Sequence, residues 1–285
     1  MEAKITVTAR VAGGVFQNIA MTSTRLPDAA RLFTGRPLAE VLNLIPAVFS
    51  LCGTAQRLCG LAAVENAAGL PPQARPRPLL AETLVEHGTA LARDWPVLLG
   101  EAPDLKSLKA LRAARHAPPP DLLADLLDTV PPRLLAHLDA LGLAEFGQGP
   151  PRPEAGPFSR HQRHFVSNGL KNRFLARVVE TRAAMVAFAT AEDLEITIPA
   201  VTDGVGTASV EAARGTLTHS VRIEGGLVRD WRIAAPTDIN FHPDGPLVHA
   251  LSGQPAGDNP EHRVRLLVAA FDPCVACEIE VILDA

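Results

Sequence analysis

The sequence predicts an α+β fold, with a helical core and β-hairpins contributed by the two ends of the chain. Three observations carry this. Both ends show apolar residues with a period of two, the middle shows them at helical spacing, and proline clusters at 71–78, 118–120, 131–132 and 150–157 punctuate that middle. No internal repeat is present. The chain is read as one unit, 1–285, in three parts: residues 1–69, 70–160 and 161–285.

The opening segment alternates, with Ile5, Val7 and Ala9 on one face and Val15, Gln17 and Ile19 beyond Gly13-Gly14, which predicts a hairpin over 4–22. Asp28 can cap a helical stretch at 29–33, and Gly35-Arg36-Pro37 breaks it. Leu38, Val41, Leu42 and Ile45 recur at helical spacing until Pro46. Residues 51–54 read as a loop, Thr54 as the cap of a helix over 55–68, and Gly69 as its end. Ala/Leu-rich stretches at 79–99, 104–116, 121–128 and 133–145 predict helices. Arg160-His161-Gln162-Arg163-His164 reads as the solvated start of a helix over 166–190 in preference to an anion site. Further on, 194–198 predicts a strand, and 217–223 with 227–233 predicts a hairpin about Gly225-Gly226. A short helix is expected near 247–251, and an apolar strand over 263–270.

Composition excludes several classes. Lys and Arg total 27 against 31 Asp and Glu, a net charge of -4, which argues against a general nucleic-acid binder. Hydrophobic residues are 47% and charged residues 20%, so the chain is not of the disordered class. Aromatics are only 4% with no Tyr, which disfavours a base-stacking surface. No apolar run approaches the roughly 20 residues of a membrane span, and the charged, alternating N-terminus does not read as a secretory signal. The expected compartment is the cytoplasm, where thiols stay reduced.

Four cysteines are too few for a disulfide scaffold at this length. They lie towards the ends, as Cys52 and Cys59, then Cys274 and Cys277. Asp272 and Pro273 suit the N-cap and first turn of a helix, which would set Cys274 and Cys277 on one face near amides that favour thiolate. Such a pair can chelate a soft metal. It also reads as buried apolar residues, a redox pair or half of a zinc site, and a strand after Cys277 stays open, because Glu278, Ile279, Glu280 and Val281 alternate. Gly204-Val205-Gly206 lacks the third glycine and the context of a dinucleotide loop.

The string Asp272-Pro273-Cys274-Val275-Ala276-Cys277 resembles the C-terminal metal motif of nickel–iron hydrogenase large subunits, D-P-C-x-x-C-x-x-H. Leu51-Cys52-Gly53 and the following helix resemble the N-terminal motif R-x-C-G-x-C-x-x-x-H. Glu211-Ala212-Ala213-Arg214-Gly215-Thr216-Leu217-Thr218-His219 is similar to E-A-P-R-G-x-L-x-H, and Pro236-Thr237-Asp238-Ile239-Asn240 to P-T-x-x-N. Gly35-Arg36-Pro37 and the opening hairpin also sit where that family has them. The likeness spans about 1–69 and 204–280 in the same order, around a much shorter middle. It implies a truncated large-subunit-like fold. Glu2 and the pair Glu86-His87 stand where the family has a Glu and an Asp-His pair.

The departures bear on function. Ala55 stands at the second cysteine of the N-terminal motif, Cys59 at its His, and Glu280 at the C-terminal His. The longer tail that is cleaved from maturing large subunits is not expected after Ala285. A nickel site needs two complete cysteine pairs, so no nickel and no catalysis are expected. Shortened chains of this kind resemble the hydrogenase accessory proteins of the HupK/HoxV type. The resemblance implies a maturation scaffold that transiently holds an iron–dicyanide–carbonyl unit, Fe(CN)2CO. Its ligands would be Cys274, Cys277 and Cys52 or Cys59, with Arg214 and Asp272 beside the unit. Glu280 and His219 are further candidates, although a lone His beside a hairpin is usually structural. The implied partners are an iron-delivery chaperone and the hydrogenase large subunit. A metal-free chaperone that mimics the large subunit, a catalytic nickel–iron subunit, a relative of quinone-binding respiratory subunits and a zinc-stabilised domain are the rival readings.

Overall fold

The computed structural model describes residues 3–24, 29–71, 76–149, 152–190, 196–199, 201 and 204–284. Glu2, Asp28, Leu194 and Glu195 lie outside these residues.

The chain begins with β1 (Lys4–Ala12) and β2 (Val15–Ser23), antiparallel about Gly13-Gly14 as expected. Both turn glycines have positive φ, 59° and 77°, which glycine adopts without a Cβ clash. A 3-10 turn (Ala29–Phe33) leads to α1 (Leu38–Val48) and α2 (Gly53–Ala67). Helix α3 (Pro76–Thr89) continues through a π-helical turn, Ala90–Asp94, into α4 (Trp95–Leu98). Then come α5 (Leu105–Ala113), α6 (Pro120–Ala140), α7 (Pro157–His161) and α8 (Leu170–Thr190). The second sheet is a meander of β3 (Val205–Ala212), β4 (Gly215–Glu224) and β5 (Leu227–Ala234). Three helices follow, α9 (Pro236–Asn240), α10 (Pro246–Leu251) and α11 (Pro260–Phe271), before β6 (Ala276–Leu283).

The two predicted hairpins are present. Of the strand expected at 194–198, only the last part is described, where Thr197 and Ser209 exchange backbone hydrogen bonds of 3.0 and 2.8 Å. Strand β6 adds a long-range element. It pairs parallel to β1, from Lys4 opposite Ala276 to Val11 opposite Leu283, and closes a sheet of order β2-β1-β6.

Three expectations are corrected. The apolar run at 263–270 is the body of helix α11, not a strand. Asn259 accepts a hydrogen bond from the His262 amide, Pro260 fits the first turn, and Val264, Leu267, Val268 and Phe271 bury one helical stripe. Asp272 is therefore the C-cap of α11, with left-handed φ 50°, and not the N-cap of a new helix. The helices expected at 121–128 and 133–145 are one helix, α6, which runs through Pro131 and Pro132. Leu123, Leu127, Val130, Leu134 and Leu138 form an unbroken buried stripe across that pair. Burying them at about 1.5–3 kcal/mol each outweighs about 3 kcal/mol for an interior proline.

The largest apolar cluster joins the first sheet to α3–α6, α8, α10 and α11, around Phe16, Trp95 and Phe174. A second packs α1 and α2 on the meander, with Phe33 edge-on to Trp231 at 5.5 Å. A cavity lies where these two bodies meet, lined by Ile5 and Met21 of the first and by Ala30 and Phe49 of the second. No helix among the described residues is long and apolar enough to cross a membrane.

Candidate functional site

Between the two sheets lies a cavity of about 450 Å³. Cys52, Cys274, Arg214, Glu82, Glu86 and Thr237 are among its lining. Cys52 precedes α2, and Cys274 follows the left-handed turn at Asp272, so the chain's two ends each bring one thiol to the same space.

Each is held by neighbours. The Cys274 amide donates to Thr237 Oγ1 at 3.2 Å, which gives the Pro236-Thr237 corner its task. Asn240, in the same short helix, exchanges two 2.8 Å hydrogen bonds with the backbone of Ala155. Cys52 Sγ accepts from Gln56 Nε2 at 3.6 Å. The first amides of α2, on Thr54 and Ala55, donate to the Glu82 carboxylate at 2.7 and 2.9 Å. Glu82, rather than the side chain of Thr54, thus caps this helix.

Arg214 sits on the β3–β4 turn and is 10% exposed. Its Nη1 donates to Glu86 at 2.7 Å, and its Nε lies 3.2 Å from Asp272 Oδ2, outside hydrogen-bond geometry. Nη2 makes no hydrogen bond among the described residues. Burial opposes the charge, but Asp272 and then Glu86 push the guanidinium pKa further up. Gly215 has φ 132°, and a Cβ there would lie 2.7 Å from the Gly156 amide nitrogen, so glycine is required immediately after Arg214. Asp272 pairs more closely with Arg177, at 3.0 Å. Burial alone would raise its pKa, but Arg177 first and Arg214 second hold its carboxyl below the usual range.

The other candidates lie elsewhere. Cys59 is fully buried, and its single S–H is shared between Ala208 O at 3.2 Å and Leu217 O at 3.3 Å, fastening α2 to β3 and β4. Cys277 is in β6, where strand alternation turns it with Ile279 and Val281 towards the helical core. It does not share a helical face with Cys274, and burial pushes its thiol up to about 11. Helix-terminal stabilisation of thiolate is thus not realised there. Glu280 is exposed on the opposite face of β6 and accepts from Thr8. His219 is fully buried beside Gln56 and Trp231. Among the described residues, no group of three or more His, Cys, Asp or Glu side chains is arranged to hold a metal ion.

Two lesser expectations also resolve. Arg160 is not a solvated helix start but an ion-pair centre, bound to Glu180 and, at 2.7 Å, to Glu211. Glu86 and His87 diverge: Glu86 turns to Arg214, while buried His87 bonds Thr181 Oγ1 at 2.9 Å and Ala213 O at 3.2 Å.

Comparison with known proteins agrees with this architecture. The nickel-dependent hydrogenase family model matches residues 158–280. The hydrogenase expression/formation protein HupK of Rhodobacter capsulatus is 33% identical, over 91% of this chain and 92% of that protein. The chain belongs to the HupK family of hydrogenase expression/formation proteins. A second HupK, from Bradyrhizobium diazoefficiens, is 31% identical over 97% of this chain and 96% of that protein. The fold is that of hydrogenase large subunits. The Ni-Fe-Se hydrogenase from Desulfovibrio vulgaris Hildenborough in the reduced state superposes with a TM-score of 0.72 at 14% identity, covering 93% of this chain and 94% of that one.

Within this HupK-family chain, sequence reasoning missed Gln56, Glu82 and Arg177. Gln56 carried a usable signal, one helical turn after Cys52. Glu82 and Arg177 carried none, because their partners are distant in the chain.

Proposed function

We propose that this chain is a maturation scaffold that takes up the Fe(CN)2CO unit and passes it to a nickel–iron hydrogenase large subunit. The observation that carries the reading is the convergence of Cys52 and Cys274 in one cavity beside Arg214. Soft thiolates suit low-spin iron, and a buried guanidinium whose Nη2 makes no hydrogen bond among the described residues suits cyanide nitrogen. The unit is cargo, not a resident cofactor. Burial pushes the Cys52 thiol up to about 12, with the Cys274 charge adding to the effect, so this ligand must give up its proton when iron arrives.

Two thiols in the cavity, instead of four, favour release. Ala55 stands where the large subunits have a metal-bridging cysteine, and the Glu82 carboxylate occupies the amides beside it. The nickel position is left unformed, and the chain acts as a carrier, not an enzyme. Cys59 and Cys277 serve packing in this reading. The partners are a chaperone that delivers the iron unit and the large subunit that receives it, in the cytoplasm.

The test is co-production with the maturation machinery, followed by infrared spectroscopy and iron analysis of the purified protein. Cyanide and carbonyl bands with bound iron are expected, and Cys52→Ser or Cys274→Ser should remove both. Protein without bands or iron that still restores hydrogenase maturation would overturn the carrier reading in favour of a metal-free mimic of the large subunit.

A further inference from the structure

Cys52 ends a one-way chain of hydrogen bonds. The indole of Trp231 can only donate, and its Nε1 lies 3.1 Å from His219 Nδ1. Nδ1 must therefore accept, which leaves the imidazole proton on Nε2. Nε2 lies 2.8 Å from Gln56 Oε1 and donates to it. That contact fixes the Gln56 amide, so its NH2 faces Cys52 Sγ at 3.6 Å. Trp231 and Gln56 are 2% exposed and His219 is fully buried, so these contacts are shielded from bulk solvent.

The surroundings keep room for this chain. A Cβ at Gly60 would stand 2.8 Å from the Trp231 ring and 3.2 Å from His219 Nδ1. The three side chains come from α2, β4 and β5, so the meander reaches the cavity thiol through Gln56.

We infer that Gln56 is a positioning residue for the cargo site, donating a hydrogen bond that steadies Cys52 sulfur as a metal-bound thiolate, with His219 and Trp231 setting the orientation of its amide. The inference rests on the reading of Cys52 and Cys274 as ligands. Donors to a ligating atom typically change metal affinity by about 10–100-fold. None of the three side chains would itself be a ligand in this arrangement.

Cadmium(II) titration of the cargo-free protein, followed by thiolate-to-cadmium charge-transfer absorbance, tests this without iron. Each thiol that binds loses its proton to the buffer. The wild type should bind, and Cys52→Ser should not. Gln56→Leu and the length-matched Gln56→Met should each weaken binding about tenfold, with near-UV circular dichroism showing a retained fold. His219→Phe should weaken it similarly, and the Gln56→Met/His219→Phe double variant should be no weaker than Gln56→Met alone, because His219 acts through Gln56. In co-produced, iron-loaded protein, Gln56→Met should shift the carbonyl stretch to lower frequency, since a thiolate without its donor pushes more electron density onto iron. Wild-type affinity in both folded Gln56 variants, or additive losses in the double variant, would overturn the role of the chain of donors. Normal cadmium binding without iron-associated infrared bands would overturn only the cargo reading. Wild-type protein that takes up no cadmium would overturn both.

Discussion

The Glu82 carboxylate receives the Ala55 amide at 2.9 Å, so an acid from α3 caps α2 at the residue that the motif resemblance pairs with a large-subunit cysteine. The same carboxylate receives the Thr54 amide and lines the cavity. Glu82→Ala leaves both amides without that partner. It should lower stability by about 1–2 kcal/mol, read as a shift of the urea midpoint.

The four cysteines should separate into two classes. Cys52→Ser and Cys274→Ser should abolish iron uptake while leaving the unfolding midpoint nearly unchanged. Cys277→Ser should keep iron content within about twofold of wild type, since its sulfur lies outside the cavity lining. Cys59→Val should keep iron content but lose about 1 kcal/mol, because it removes the single S–H that two buried carbonyls share. Iron analysis and denaturant unfolding on the same preparations read both.

Acid should destabilise the fold through two buried histidines. Burial lowers His219 from 6.5 to about 3 and His87 from 6.5 to about 4. Both stay neutral in the folded chain and gain protons on unfolding below their ordinary value. Their contribution is complete above about pH 6.5 and is lost as pH falls towards about 4 for His87 and about 3 for His219, by about 1.4 kcal/mol per pH unit for each. Unfolding free energies at pH 5 and 7 should show this loss, and His87→Gln should reduce the slope by the share of one proton.

Removing Arg177 should cost about 3 kcal/mol, because among the described residues Asp272 then keeps only the ion pair with Arg214, which lacks hydrogen-bond geometry. The double variant Arg177→Met/Asp272→Asn should recover part of that loss by removing the unpaired charge. A double-mutant cycle on unfolding free energy measures the coupling.

Gly206→Ala should be among the most disruptive single-methyl additions. Its Cβ would fall 2.2 Å from Ala63 O and 2.3 Å from the Ala67 nitrogen, both backbone atoms of α2 that cannot swing aside. A loss of about 3 kcal/mol is expected by thermal or urea unfolding.

Local patterns predicted local structure well. Alternation about Gly13-Gly14 and Gly225-Gly226 specified two hairpins, because strand period and turn chemistry are both encoded within a few residues. The run at 263–270 misled because a short apolar stretch fits a buried strand as well as a helix. The decision came from Asn259 capping α11 and from the core that buries its stripe. Pro131 and Pro132 misled for a related reason: proline weakens a helix locally, while the stripe that holds α6 together acts over its whole length.

The sequence by itself determined the alphabet of the site: four cysteines, Arg214, Asp272 and the motif order that links this chain to hydrogenase large subunits. Only the tertiary structure decided which of them meet. Strand β6 pairs with β1 and turns Cys277 into the core, while the turn at Asp272 and the contact with Thr237 hold Cys274 at the cavity with Cys52. The reason is physical. Residue type and spacing set what a side chain can bind, but pairing between distant segments sets which way it points, and one step along a strand reverses that direction.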